Sequence, residues 1–125
     1  MKISPYVYPA IARIEKELTD HEKAQIIIDT VCKVYDFPFD VVAKNVRTRE
    51  FVEARQVIMH ICLRKTKLTL KQVAKLFIQR GRPYDHSTVI HARKHIDGFL
   101  FYDREFSEKY DSIIDKINEA KLISL

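Results

Sequence analysis

Apolar residues recur along this chain at separations of three and four, and little interrupts them: its 125 residues include only two glycines and four prolines. With so few turn formers and no sustained alternation of period two, the chain reads as all-α, a compact multi-helix domain. Pro9 suits the first turn of a short helix to about Leu18, with Ile11, Ile14 and Leu18 at helical spacing. Thr19 with Glu22 is a capping box that opens a helix to about Tyr35, along which Ala24, Ile27, Ile28, Val31 and Val34 form one stripe. Pro38 restarts the chain for a short helix over 39–43, which gives way to a basic loop, Lys44-Asn45-Val46-Arg47-Thr48-Arg49. Phe51, Ala54, Val57, Ile58, Ile61 and Cys62 then mark a long buried helix from Glu50 or Phe51 to about Lys65.

Thr69 with Gln72 is a second capping box, and Leu70, Val73, Ala74 and Phe77 predict a helix ending near Gln79. Arg80-Gly81-Arg82-Pro83-Tyr84 reverses the chain, and Asp85 sits where an N-cap belongs. In the helix that follows, Val89, Ala92 or Ile96, and Phe99 face inward, leaving His86, Ser87, His91 and Lys94 outside. Phe106, Tyr110, Ile113, Ile114 and Ile117 predict a last helix over about 103–123, acidic at its start and basic towards its end, as the helix dipole favours. Residues 1–20 read as an N-terminal extension with a short helix, and residues 21–125 as one domain with a helix-turn-helix at about 69–99.

With 46% apolar and 31% charged residues the chain can bury a core of its own beneath a solvated surface. Its longest apolar runs are a few residues, against roughly 20 needed to span a bilayer, so no membrane association is expected. The first residues show no leader pattern, and the cytoplasm is the expected compartment. Cys32 and Cys62 each lie within an apolar helical pattern and are expected to be buried thiols. His91 and His95 stand four apart, a spacing metal sites use, but have no Cys or Glu companion. No metal or other cofactor is expected.

Charge is distributed unevenly. Residues 1–43 hold five Lys/Arg against seven Asp/Glu (net −2), residues 44–94 thirteen against three (net +10), and residues 95–125 four against seven (net −3). Clustered cations release counterions when they dock on phosphates, so a basic block between acidic flanks suits a polyanion partner. Inside that block lie the two helices joined by a tight turn. The second opens with Asp85, His86, Ser87 and Thr88, short side chains able to reach base edges in the major groove.

Three segments carry a family likeness: Arg47-Thr48-Arg49, Val52-Glu53-Ala54-Arg55-Gln56, and Asp85-His86-Ser87-Thr88-Val89-Ile90-His91-Ala92. With them, the stretch from Ala24 to about Phe99 resembles the C-terminal DNA-binding domain of the bacterial chromosomal replication initiator DnaA, a Trp-repressor-like fold. The resemblance implies that Arg47 enters the minor groove, with Arg49 supporting it or holding a phosphate. It implies that Asp85 bonds a base amino group, that His86 and Ser87 contact thymine, and that Thr88 completes the base-reading set. Arg55 and Gln56 match positions that fix the domain on the duplex backbone. Leu70, through its amide, and Lys71 lie at the start of the motif's first helix, where phosphates are favoured. Arg93 and Lys94 are added as backbone contacts on charge and position.

The chain departs from the family pattern at the turn, where Ile78 to Tyr84 is longer than the family's Gly-Gly-Arg and Tyr84 stands in place of the arginine. Arg80 or Arg82 can replace that arginine on the backbone, and Tyr84 can stack on sugar or shield the core. No G-x-x-x-x-G-K-[ST] occurs, so the nucleotide-driven part of the initiator is absent from this sequence.

The function expected is therefore sequence-specific binding of double-stranded DNA at an A/T-rich asymmetric site, by a monomer and without catalysis. The setting expected is replication initiation or its regulation, with initiation proteins as further partners; a transcriptional regulator would use the same surface. Two readings of other classes are a HEPN-like helical ribonuclease built on Arg80 and His86, and an adaptor that binds protein through its acidic last helix.

Overall fold

A computed structural model of the chain describes residues 17–44, 48–77 and 84–123, and among them six helices and no strand occur. They are α1 (Asp20–Tyr35), α2 (Phe39–Ala43), α3 (Arg49–Lys65), α4 (Leu70–Lys75), α5 (His86–Tyr102) and α6 (Arg104–Ile123). The expected helix through Leu18 falls mostly outside the described residues, as do Arg47, Arg80 and Arg82.

Both capping boxes form. Glu22 N donates to Thr19 Oγ1 at 3.1 Å while the Glu22 carboxylate accepts from Thr19 N, and Thr69 and Gln72 repeat the exchange at the start of α4. Each box satisfies two amides that a helix start otherwise leaves unpaired. Asp36 closes α1 in the left-handed conformation (φ 59°), its N–H turned back to the carbonyls of Cys32 and Lys33.

Two boundaries differ from expectation. The long helix begins at Arg49, which is therefore the first residue of α3 and not part of the loop. The helix expected to run to Gln79 ends at Lys75: Leu76 N and Phe77 N bond back three residues, to Val73 O and Ala74 O. That tighter winding carries Phe77 into the core, where its ring meets Phe39 at 5.5 Å and Tyr84 at 5.8 Å.

Helix α3 is the central element. It packs against α1, α2, α4 and α5, while α6 closes the domain against α1 and α5. The interior combines Ile27, Val31, Val57, Ile58, Ile61, Val73, Val89, Ile96, Tyr110 and Ile113. The stripes read from the sequence lie inward, with Ala24, Ile27, Ile28 and Val31 buried on α1 and Val89, Ala92 and Ile96 buried on α5. One polar chain crosses this core: His60 of α3 bonds the Tyr110 hydroxyl through Nδ1 and Asp97 of α5 through Nε2, both at 2.7 Å.

Both cysteines are buried and free. Burial, with the Asp29 charge second, pushes the Cys32 thiol up to about 11, and burial alone pushes Cys62 up to about 12. The thiolate is the reactive form, so iodoacetamide at about pH 8 should modify neither cysteine in the folded protein and both in urea. Mass spectrometry reads the result, and rapid native alkylation of Cys62 contradicts this packing.

Candidate nucleic-acid interface

The four residues assigned to base reading lie where the chain enters α5. Asp85 caps the helix with extended backbone (φ −73°, ψ 154°), yet its carboxylate makes no capping bond to the helix. Instead Oδ2 accepts from Ser87 Oγ at 3.0 Å and Oδ1 lies 2.8 Å from His86 Nδ1. The Ser87 hydroxyl, more than the nearby imidazole, holds the Asp85 carboxyl below the usual carboxylate range. The tip thus presents a carboxylate acceptor in contact with its two neighbouring side chains. Asp85, His86 and Ser87 are exposed and Thr88 is half-buried.

Just beneath the tip, Arg55 of α3 joins two parts of the chain. Only 6% exposed, it donates from one guanidinium nitrogen to Val42 O at 3.2 Å, to Lys44 O, and to the Tyr84 hydroxyl at 2.9 Å. Tyr84 in turn donates to Ala43 O at 3.0 Å. Its ring lies edge-on to Phe77 and 5.2 Å from the Arg55 guanidinium carbon. The end of α2, directly before the basic loop, is thereby tied to the residue directly before Asp85.

Of the two roles open to Tyr84, this geometry matches shielding the core: the ring is packed and the hydroxyl both accepts and donates. Arg55, expected on the duplex backbone, points inward to protein acceptors. A planar guanidinium can hold several carbonyls and an aromatic face together, which an ammonium does not match.

The remaining assigned residues within the described segments lie on α3, α4 and α5. Gln56 is half-buried, its Oε1 2.6 Å from His95 Nδ1 across the α3–α5 contact. Arg49, Lys71, Arg93 and Lys94 are exposed, and Leu70 is half-buried. Because α4 has six residues, its dipole is small, and anion attraction there rests on the Lys71 charge. Two of these partnerships, Arg55 with Tyr84 and Gln56 with His95, are invisible to local sequence patterns because each joins residues far apart in the chain.

The nuclease pair Arg80 and His86 is only half within the described residues, with His86 exposed at a helix start. No group of three His, Cys, Asp or Glu able to hold a metal ion occurs among the described residues. Nor is any described helix long and apolar enough to cross a membrane.

Comparison with known proteins identifies relatives of this chain. The initiator DnaA of Flavobacterium psychrophilum is 28% identical over 110 residues, covering 85% of this chain and 22% of that protein. DnaA of Bacteroides thetaiotaomicron is 31% identical over 87 residues, 70% of this chain and 18% of the relative. That of Bacteroides fragilis is 32% identical over 87 residues, 70% and 17%. The chain thus spans about a fifth of the length of these relatives. A family model described as the bacterial DnaA protein helix-turn-helix matches residues 24–96, from α1 to Ile96 of α5, and the chain belongs to that family.

Proposed function

We propose that this chain binds double-stranded DNA sequence-specifically in replication initiation or its regulation, and that it does so without catalysis. Asp85, His86, Ser87 and Thr88 enter the major groove, and Arg47, with Arg49 beside it, enters the adjacent minor groove. An A/T-rich minor groove is narrow and concentrates negative potential, which suits a guanidinium on a loop. Lys71, Arg93 and Lys94 hold phosphates, joined by Arg80 and Arg82 from the turn, and one chain reads one asymmetric site.

The observation that carries this reading is the Arg55–Tyr84 joint. A protein that reads a major groove and its neighbouring minor groove needs its two reading elements side by side, and Lys44 and Tyr84 meet on one guanidinium nitrogen. Arg55 acts in this scheme as a positioning residue. Further support comes from the family match and from the concentration of positive charge over residues 44–94.

Selection of bound sites from random duplexes at stated salt concentrations tests the proposal. It should yield a short asymmetric site whose affinity falls steeply with added salt. Lys71→Ala and Lys94→Ala should each weaken all sequences alike and lower the salt slope by about one, as loss of a single phosphate contact does. Selection that enriches nothing, together with binding that salt leaves unchanged, contradicts it.

A further inference from the structure

The end of α5 away from the reading tip exposes two aromatic rings. Phe101 is 81% exposed and Tyr102 85%, and their ring centroids lie 4.9 Å apart, edge to face. A single exposed apolar side chain is ordinary, but two adjoining rings form a patch. One turn earlier on the same side of the helix stands Gly98, three and four residues before the rings. Apart from proline, glycine is the poorest residue for a helix interior. Nothing inside the domain calls for it: among the described residues, a Cβ added at Gly98 meets nothing within 4 Å beyond the nearby backbone of its own helix. The missing side chain leaves a notch open to the outside, where another helix can come close.

We infer that this face pairs with the same face of a second copy of this chain, Phe101 of each copy seated in the Gly98 notch of the other. A patch that carries both a ring and a notch is self-complementary, as a two-fold contact requires. Because ring and notch change places along α5, the two helices run antiparallel. Charge favours this end for pairing. The stretch 44–94, which includes the tip, carries a net +10 and repels its like, whereas Phe101 and Tyr102 lie outside it. They are followed by Asp103, Arg104 and Glu105, exposed charges of both signs, so Arg104 of one copy can meet a carboxylate of the other. The contact is small: four rings of roughly 150–250 Å² each fall short of the roughly 1,200 Å² at which standard interfaces begin, so pairing is weak. Phe101 lies about 22 Å along α5 from His86, at about 1.5 Å per residue, so each copy keeps its tip open. The inference stands on the end of α5 alone and is independent of whether the chain binds DNA.

Sedimentation equilibrium of the DNA-free protein, from about 10 µM to about 1 mM, tests it, and a monomer–dimer dissociation constant on the order of 100 µM is expected. Phe101→Ser combined with Tyr102→Ser should weaken pairing at least about tenfold, while the melting curve stays cooperative because both rings are exposed. Gly98→Leu fills the notch and should also weaken pairing at least about tenfold. Its melting temperature should not fall, since the added side chain enters open space and leucine favours a helix. With Cys32 and Cys62 buried, Gly98→Cys should cross-link to its counterpart through a short bismaleimide, whereas His91→Cys, towards the other end of α5, should not. Monomer alone at every concentration, equal cross-linking of the two cysteine variants, or undiminished pairing of Gly98→Leu overturns the inference. DNA binding measured on the same variants shows separately whether the proposed function holds.

Discussion

Replacing Arg55 by leucine should destabilise the domain by about 3 kcal/mol and weaken binding to every DNA sequence together. Removing a buried charged donor leaves its acceptors unpaired, at about 1–3 kcal/mol for each buried group. Here the carbonyls of Val42 and Lys44 lose a donor and Tyr84 loses one of its two hydrogen-bond partners. Urea unfolding should show a lower midpoint at unchanged slope, the sign of lost stability without a change in the surface exposed. Arg55→Lys should recover little of the loss, because lysine is shorter than the arginine side chain that reaches these acceptors and has no planar group to set against the Tyr84 ring. Tyr84→Phe keeps the ring and removes only the hydroxyl, so its effect should be smaller, about 1 kcal/mol. Combining it with Arg55→Leu should cause less than the sum of the two losses, since both act on the same joint. Full additivity would mean that Arg55 and Tyr84 work separately and that the two reading elements are held by something else.

The tip should respond in the opposite manner. His86→Ala and Asp85→Asn should each lower affinity for the selected site on the order of tenfold to a hundredfold while leaving random duplexes nearly unchanged, as loss of a base contact does. Stability should hardly move, because both side chains are exposed at the start of α5. The effect of pH follows from the lowered Asp85 pKa. A carboxyl with a depressed pKa keeps its charge to lower pH than an ordinary one, so its contribution to site preference is present at neutral pH and is lost later on acidification than that of an unperturbed carboxylate. Ser87→Ala removes the main cause of the depression and should move that loss to higher pH. If His86→Ala weakens selected and random duplexes equally, the tip is not reading bases.

Much of the helical plan could be read from side-chain spacing because local rules govern it. Thr19 with Glu22 and Thr69 with Gln72 marked two helix starts through bonds made three residues apart, and the stripes of α1, α3 and α5 followed from apolar periodicity. The end of α4 was less legible. Phe77 continues a helical stripe in sequence, but the backbone tightens at Leu76 and Phe77 to place that ring against Phe39 and Tyr84. The site shows the same division. Asp85, His86 and Ser87 are neighbours in the chain, and their shared exposure at a helix start could be anticipated. The family resemblance puts Arg55 on the duplex backbone, yet it lies inside, where Tyr84, 29 positions later, supplies an acceptor and a ring. No local pattern signals a pairing at that separation, nor those of Gln56 with His95 and of His60 with Asp97.

The central claim is that the loop after α2 and the start of α5 address neighbouring grooves of one duplex. DNA cleavage by an iron chelate attached at single introduced cysteines tests it most directly, with Cys32 and Cys62 protected by burial. Thr48→Cys lies beside the loop, at a position whose side chain makes no capping bond, and His91→Cys lies on the exposed side of α5 just beyond the tip. On a selected duplex the two variants should cut at centres within about half a helical turn, roughly 5 base pairs. The Thr48 chelate should show the strand offset of a minor-groove position and the His91 chelate that of a major-groove position. Cleavage centres more than a full turn apart, or cleavage from only one of the two sites, would contradict the account.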